Sequence, residues 1–404
     1  MISVAEALAR ITSALAPVSS EQVPLSDGLG RVLAEDVRAR VTHPPAAVSA
    51  MDGYAVRAED VARAPATLRL VGESQAGGRF AGAVGPGEAV RIFTGAPLPP
   101  GADAIVIQEN AERAGDRVTV REPAAAGRFV RPAGLDFRAG DALLKAGTVL
   151  TARDLGLAAA MNVPWLAVRR RPRVAFIATG DEIVMPGEPL GADQIVSSNS
   201  VALAAYVRAW GGEPLSLGIA RDDAGSLNRL FAGARGADLL VTMGGASVGD
   251  HDLVREALGG EGFALEFFRV AMRPGKPLVF GRLGEVPVLG LPGNPVSVGV
   301  TAVVFLKPAV DTLLGVKPGG GPPATAALGC DVGANDQRQD YLRATLARAA
   351  DGTPVATPFP RQDSSMLARF AAAHCLVVRP PNAPPAKAGE RVEIIPLAGG
   401  VVSF

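Results

Sequence analysis

Residues 237–252, ADLLVTMGGASVGDHD, pass from a continuous apolar run straight into a loop of glycine, serine and aspartate. A buried strand that ends in such a loop, followed here by the short helical segment LVREAL, is the building unit of an α/β sheet. The flanking segments repeat it. Upstream, RVAFIATGDE (173–182) reads as a buried strand with a polar end, and NSVALAAYVRAWGG (199–212) as a helix capped by Asn199 and stopped by two glycines. PLSLGIARDD (214–223) reads as a strand leading into acidic caps for the helix SLNRLFAGA. Downstream, 277–295 supplies two more strands, the second closing in the Gly/Pro loop GLPGNP before a final helix. The alternation predicts a mainly parallel sheet covered by helices, with any ligand at the carboxyl ends of the strands.

Outside this region the texture changes. Val4, Leu8, Ile11 and Leu15 repeat at helical spacing over 3–16. Short β-branched runs between glycine and proline follow: LRLV at 68–71, AVRIFTG at 89–95, AIVIQEN at 104–110 and RVTVRE at 117–122. TARDLGLAAAM (151–161) reads as a helix with a threonine cap. After the linker GVKPGGGPPAT, an Asp351-Gly352 hairpin signal and the runs CLVV and ERVEII indicate further strands. The expected fold class is therefore α/β multidomain. A region 1–170 carries a β-rich insert at about 46–141, an α/β domain spans 171–317, and a small β-barrel-like domain spans 318–404.

Forty basic and forty acidic side chains give zero net charge, which argues against a partner recognised through overall charge, such as nucleic acid. Aromatic residues at 5% argue against a base-stacking platform. Glycine (48) and proline (33) make the chain turn-rich but not low in complexity. Cys330 and Cys375 are far apart, and His43, His251 and His374 are scattered, so neither a disulfide framework nor a thiolate or histidine metal cluster is expected. The apolar run Val296 to Leu306 is broken by Ser297, Gly299 and Thr301, short of a membrane span. A reduced, cytoplasmic, soluble setting is expected.

Charge is distributed unevenly. Between Arg173 and Arg208 there are four acids and no Lys or Arg, and between Glu266 and Glu285 four bases and no acid. In TMGGASVGDHD, Gly244 and Gly245 let backbone amides approach an anion and Ser247 adds a hydroxyl; an ordinary strand-to-helix turn explains the same residues equally well. The segment fits neither a nucleotide P-loop nor G-x-G-x-x-G. In FFRVAMRPGKP, Arg269, Arg273 and Lys276 can converge on one oxyanion, against the alternative of a solvated basic edge. Carboxylates stand at turns: Asp52, Asp136, Glu182, Asp222 and Asp252, with either Asp222 or Asp223 best read as a helix cap. Several carboxylates beside an anion loop suit Mg²⁺ bridging to phosphate. Thr94 is either a turn hydroxyl or a substrate contact.

SAMDGYA (49–55), IFTGAPLPPGADAIV (92–106), ATGDEI (178–183), TMGGASVGDHD, VAMRPGKP and GLPGNPVS (290–297) occur in this order on one chain. In this the sequence resembles the MoeA-type molybdopterin molybdenumtransferases and the related E domain of gephyrin, over essentially its whole length. The resemblance implies insertion of molybdate into adenylated molybdopterin with release of AMP, dependent on Mg²⁺. It places Asp52, Thr94, Asp136, Glu182, Asp222 and Asp252 at catalytic positions and Arg131 at a positively charged one. Glu182, Asp222 and Asp252 become the expected Mg²⁺ ligands. Arg273, Lys276, Ser297, Arg343 and Ser364 fall at a molybdate pocket, and Pro292, Asn294 and Pro295 of GLPGNPVS join Gly244, Gly245, Ser247 and Arg269 as substrate contacts. Where the family often has lysine, this chain has Arg269 and Arg273, which keep the charge but bind as planar forks. The resemblance further implies a homodimer whose cleft is lined by both subunits, small-molecule substrates, and contacts with other molybdenum-cofactor biosynthesis proteins. No nucleic-acid or membrane partner is expected.

A non-catalytic dimeric scaffold would not need the carboxylates and basic loop. An enzyme acting on another pterin through the same central domain would not need SAMDGYA and FTGAP. Molybdate and tungstate, both tetrahedral dianions, are not distinguished.

Overall fold

The computed structural model describes residues 1–221, 223–244, 263–316 and 322–397. The chain forms two compact units. One consists of 1–35, 146–152 and 167 onwards, and the other of 36–145 and 153–166.

The second unit is built on a six-stranded sheet of β1 (Gly53–Val56), β2 (Ala66–Ser74), β3 (Glu88–Ile92), β4 (Ala104–Ile107), β5 (Ala111–Ala114) and β6 (Arg117–Val120). Their order is β4-β1-β3-β2-β6-β5, antiparallel except for β2 beside β3. Period-two alternation sends Tyr54 and Val56 to one apolar cluster with Leu68, Val106 and Val118, and Ala55 to another with Val90, Ile92 and Ile105. Both faces are thus apolar, which is why β1 is buried along its whole length. Helix α2 (Ala152–Ala160) starts directly after Thr151, where the threonine cap is expected.

The first unit opens with α1 (Val4–Ser13), whose Ser3 hydroxyl accepts the Glu6 amide at 3.1 Å. The helix stops short of the periodicity, yet Leu15 is still buried. Its central sheet comprises β7 (Arg173–Thr179), β8 (Glu213–Ala220), β9 (Leu239–Met243), β10 (Phe263–Phe268), β11 (Val279–Leu283) and β12 (Val286–Leu291). The order is β8-β7-β9-β12-β11-β10, with the first four parallel and the last two antiparallel. Covering helices are α3 (Ser198–Ala209), α4 (Ala224–Gly233) and the long α5 (Pro295–Leu313). Asp223 is the α4 cap, accepting the Ser226 amide at 2.7 Å. Asn199 is not the α3 cap: it lies inside the first turn, and its side chain is used elsewhere. The segment LVREAL falls outside the described residues.

Helix α5 corrects the reading of 296–306. It continues for 19 residues, long and apolar enough by length and composition to cross a membrane, but 72% of the window is buried in the core. Pro308 can donate no N–H to the carbonyl of Val304, and the turn before it, Ala302–Leu306, widens into a π-type segment. Phe305 and Leu306 in that turn are fully buried, each contributing roughly 1.5–3 kcal/mol by leaving water.

The chain ends in β13 (Thr325–Leu328), β14 (Gln339–Arg348), β15 (Pro354–Pro358), β16 (Cys375–Arg379) and β17 (Arg391–Pro396). The order β14-β15-β13-β17-β16 closes through the β14–β16 pairing into a five-stranded barrel. Asp351 and Gly352 turn β14 into β15, as their hairpin signal predicts.

Candidate functional site

In the first unit, three predicted loops meet at the carboxyl ends of neighbouring parallel strands. After β9, Gly244 takes φ +89°, and a Cβ there would lie 2.9 Å from the Thr179 carbonyl at the end of β7. Its amide donates to the Leu291 carbonyl of β12 at 3.2 Å, and Gly293 packs on its Cα. Only glycine allows these backbones so close. After β7, the Glu182 carboxylate folds back over Gly180, where any Cβ would collide with it. The Gly180 amide donates to Ala220 at the end of β8. Asp222, two residues on, and Gly245, Ser247 and Asp252 lie outside the described residues.

The loop after β12 is tied from two sides. Asn199 Nδ2 donates to the Gly293 carbonyl at 2.7 Å, and Asn294 Nδ2 to Ser364 Oγ at 3.0 Å. Pro292 is buried, Pro295 is the first residue of α5 and needs no N–H there, and Ser297 is buried in its first turn. The Val296 amide donates to the Ser364 carbonyl at 3.1 Å, so the predicted Asn294 and Ser364 stand together.

Arg343 on β14 serves the same loop. Its side chain is 1% exposed, its Nη2 donates to the Asp363 carbonyl at 2.9 Å, and its Nε has no partner. Among the described residues no carboxylate lies within ion-pair distance of it. Burial therefore pulls its pKa down, with the Asp363 charge opposing. Gln362 fixes the strand beneath it: Oε1 accepts the Arg343 amide at 2.9 Å and Nε2 donates to the Arg343 carbonyl at 3.0 Å.

The basic loop folds between α5 and β14. Buried Gly275 packs against Thr301 and Met272, and Met272–Arg273 pairs with Gln339–Asp340 of β14. The Arg273 fork grips Asp340, with Nε to Oδ1 at 2.9 Å and Nη2 to Oδ2, and Asp336 lies 3.7 Å away. Its charge is thus shared with carboxylates. Arg269 has φ +72°, lies over the Phe268 ring at 4.8 Å, and has a buried Nε without a partner. Neither Arg269 nor the half-buried Lys276 has an ion-pair partner among the described residues.

In the second unit, SAMDGYA, FTGAP and FVRPAGLD converge on one ribbon. Ser49 donates its amide to Ala96 and accepts that of Gly95, the Ala50 amide donates to Phe129, and Val48–Ser49 pairs with Val130–Arg131. Asp52 Oδ1 accepts the Thr94 amide at 2.7 Å and the Thr94 hydroxyl at 2.8 Å. These bonds lower the Asp52 pKa, the amide first and the hydroxyl second, with a further contribution from the charge of Arg91. Asp136 is exposed, its amide on the His43 carbonyl at 3.1 Å, and Arg131 is exposed too. The described residues bring no three Asp, Glu, His or Cys side chains into metal-binding range.

Three residues at these places escape a sequence reading. Asn199 is masked by its position at a helix start, where it looks like a cap. Gln362 looks like loop filler. Arg91 had a signal: it interrupts the apolar run AVRIF, where a charge needs a reason.

Family models described as the MoeA N-terminal region (domain I and II), a probable molybdopterin binding domain and the MoeA C-terminal region (domain IV) match residues 2–162, 175–312 and 325–397. The molybdopterin molybdenumtransferase of Nostoc sp. is 40% identical over 336 residues, covering 81% of this chain and 77% of its own. Molybdopterin molybdenumtransferase 2 of Mycobacterium tuberculosis is 37% identical over 382 residues, covering 92% and 94%. Two solved structures of the molybdopterin biosynthesis MoeA protein from Pyrococcus horikoshii match with TM-scores of 0.85 and 0.81. They are 32% and 28% identical to this chain, of which they cover 99% and 98%, and are themselves covered over 100% and 99%. With the motifs, the mixed sheet, the closed barrel and full-length relatives in agreement, the chain belongs to the MoeA family of molybdopterin molybdenumtransferases.

Proposed function

We propose that the protein transfers molybdate into adenylated molybdopterin and releases AMP, as a Mg²⁺-dependent, homodimeric, cytoplasmic enzyme of molybdenum-cofactor biosynthesis. The observation that carries this reading is Arg343, a buried guanidinium with no carboxylate at ion-pair distance among the described residues and an unpartnered Nε, beside the loop of Ser364. A buried cation left unpaired costs several kcal/mol, so such a site is kept for an anion that completes it. Molybdate is a tetrahedral dianion, and Arg269 and Lys276, which have no ion-pair partner among the described residues, suit it in sign. Arg273, Ser297 and Asn294 belong to the same proposed pocket.

Glu182 offers a hard oxygen donor at the strand ends, and Asp222 and Asp252 follow the ends of β8 and β9 in sequence. An all-carboxylate set suits Mg²⁺, which would neutralise charge on the phosphoanhydride. Gly244, with Gly245 and Ser247 after it, offers amides and a hydroxyl to the phosphates. Asp52, Thr94 and Asp136 are proposed as catalytic, with Arg131 as an anion contact. Asp52, held ionised by Thr94, can orient an attacking oxygen through a hydrogen bond.

The test is AMP release and cofactor formation from adenylated molybdopterin and molybdate. Asp52→Ala, Glu182→Ala and Lys276→Ala should each lower kcat/KM at least about tenfold. Full activity in all three variants would sink the site assignment.

A further inference from the structure

We infer that Arg91 is a positioning residue that holds the Asp52–Gly53 turn so that the Asp52 carboxylate stays facing Thr94. The network is closed. On β3, Arg91 sits in register with Tyr54 of β1, its guanidinium 5.1 Å from the Tyr54 ring and 4.9 Å from the Phe93 ring. Beside these rings, Nη1 donates to the Gly53 carbonyl at 3.1 Å and Nη2 to Gln108 Oε1 at 2.7 Å. Gln108 returns to the same turn, its amide donating to the Asp52 carbonyl at 3.1 Å. Thr94, three residues after Arg91, closes the ring by donating amide and hydroxyl to the carboxylate.

The backbone has no slack to replace this. A Cβ at Gly53 would collide with the Val106 carbonyl, so the turn is pressed against β4 and its direction is set by what holds its carbonyls. Two neighbouring rings and two acceptors on separate Nη atoms match a planar fork, and an ammonium cannot satisfy all four at once. The charged groups around the turn are Arg91, Glu73 in register with it on β2, Glu109 beside Gln108, and Arg131 on the strand paired with Val48–Ser49. Of these, Arg91 is the one whose charge lowers the Asp52 pKa.

The kinetic consequence rests on Asp52 acting in the proposed transfer; the structural one does not. The experiment therefore uses two readouts on the full chain: the Asp52 carboxyl titration by carbon-13 NMR, assigned with Asp52→Asn, and steady-state AMP release. In Arg91→Gln the carboxyl should titrate at higher pH, and kcat should fall about tenfold with KM for adenylated molybdopterin changed less than about twofold. Arg91→Lys should keep the titration near that of the parent, because the charge remains, and still lose kcat, because the fork is gone. An unchanged titration together with an unchanged kcat in Arg91→Gln overturns the inference. Should that variant not fold, Gln108→Ala decides: it frees one arm of the fork, and parental kcat there overturns the inference equally. A parent protein that releases no AMP defeats the proposed function, while the titration still tests Arg91.

Discussion

Arg343 sets burial against charge in a single side chain. Its guanidinium is buried and, among the described residues, lacks a carboxylate at ion-pair distance, so its charge is only partly offset, by Asp363. An apolar side chain of similar length removes the desolvation cost of the buried charge, which offsets the loss of its bond to the Asp363 carbonyl. Arg343→Met is therefore expected to leave the thermal midpoint unchanged or raise it, while equilibrium dialysis shows loss of molybdate binding. A lower midpoint with binding intact would mean that the residue is a structural strut. This residue also shows what a sequence conceals. DYLR identifies an arginine on a strand, but its hydrogen bonds come from Phe359, Gln362 and Asp363, 16 to 20 residues away along the chain. Asp52 and Thr94 carry the same lesson. Each could be read as a turn residue, and their bond spans a separation of 42 that no local pattern encodes.

Elements were far more legible than their junctions. Apolar runs such as VAFIAT and LLVTM have the length and β-branching of buried parallel strands, and burial on both faces leaves them little alternative. The apolar stretch of α5 runs on past Leu306, because the glycine, serine and threonine that look like interruptions are small side chains in a closely packed helix. Gly299 is the sharpest case: a Cβ there would collide with the Phe370 ring of α6 (Leu367–Ala371). Phe370 is itself buried. Gly299→Ala is expected to cost about 1–3 kcal/mol by overpacking, read by urea unfolding. Because α6 follows the Ser364 loop, the same change should also weaken molybdate binding. Parental stability would show that α6 yields without strain, and the coupling between helix packing and the loop would fail.

For the whole molecule, zero net charge hides two opposed blocks of the first unit: acids from Asp181 to Asp193 around Glu182, and bases from Arg269 to Arg282 around the loop that β14 anchors. An arrangement with both signs suits a small anion and the cation that accompanies it. The order of six motifs along the chain identified the family, since each motif alone is a common turn. Central to the account is that molybdate is the incoming substrate and AMP the leaving group. The direct measurement is a single-turnover reaction of the purified protein with adenylated molybdopterin, Mg²⁺ and molybdate, following AMP by chromatography and molybdenum bound to molybdopterin by metal analysis. The account predicts that both products rise together, one to one, and only when molybdate is present. AMP release at the same rate without molybdate, or molybdenum incorporation without AMP release, would contradict it.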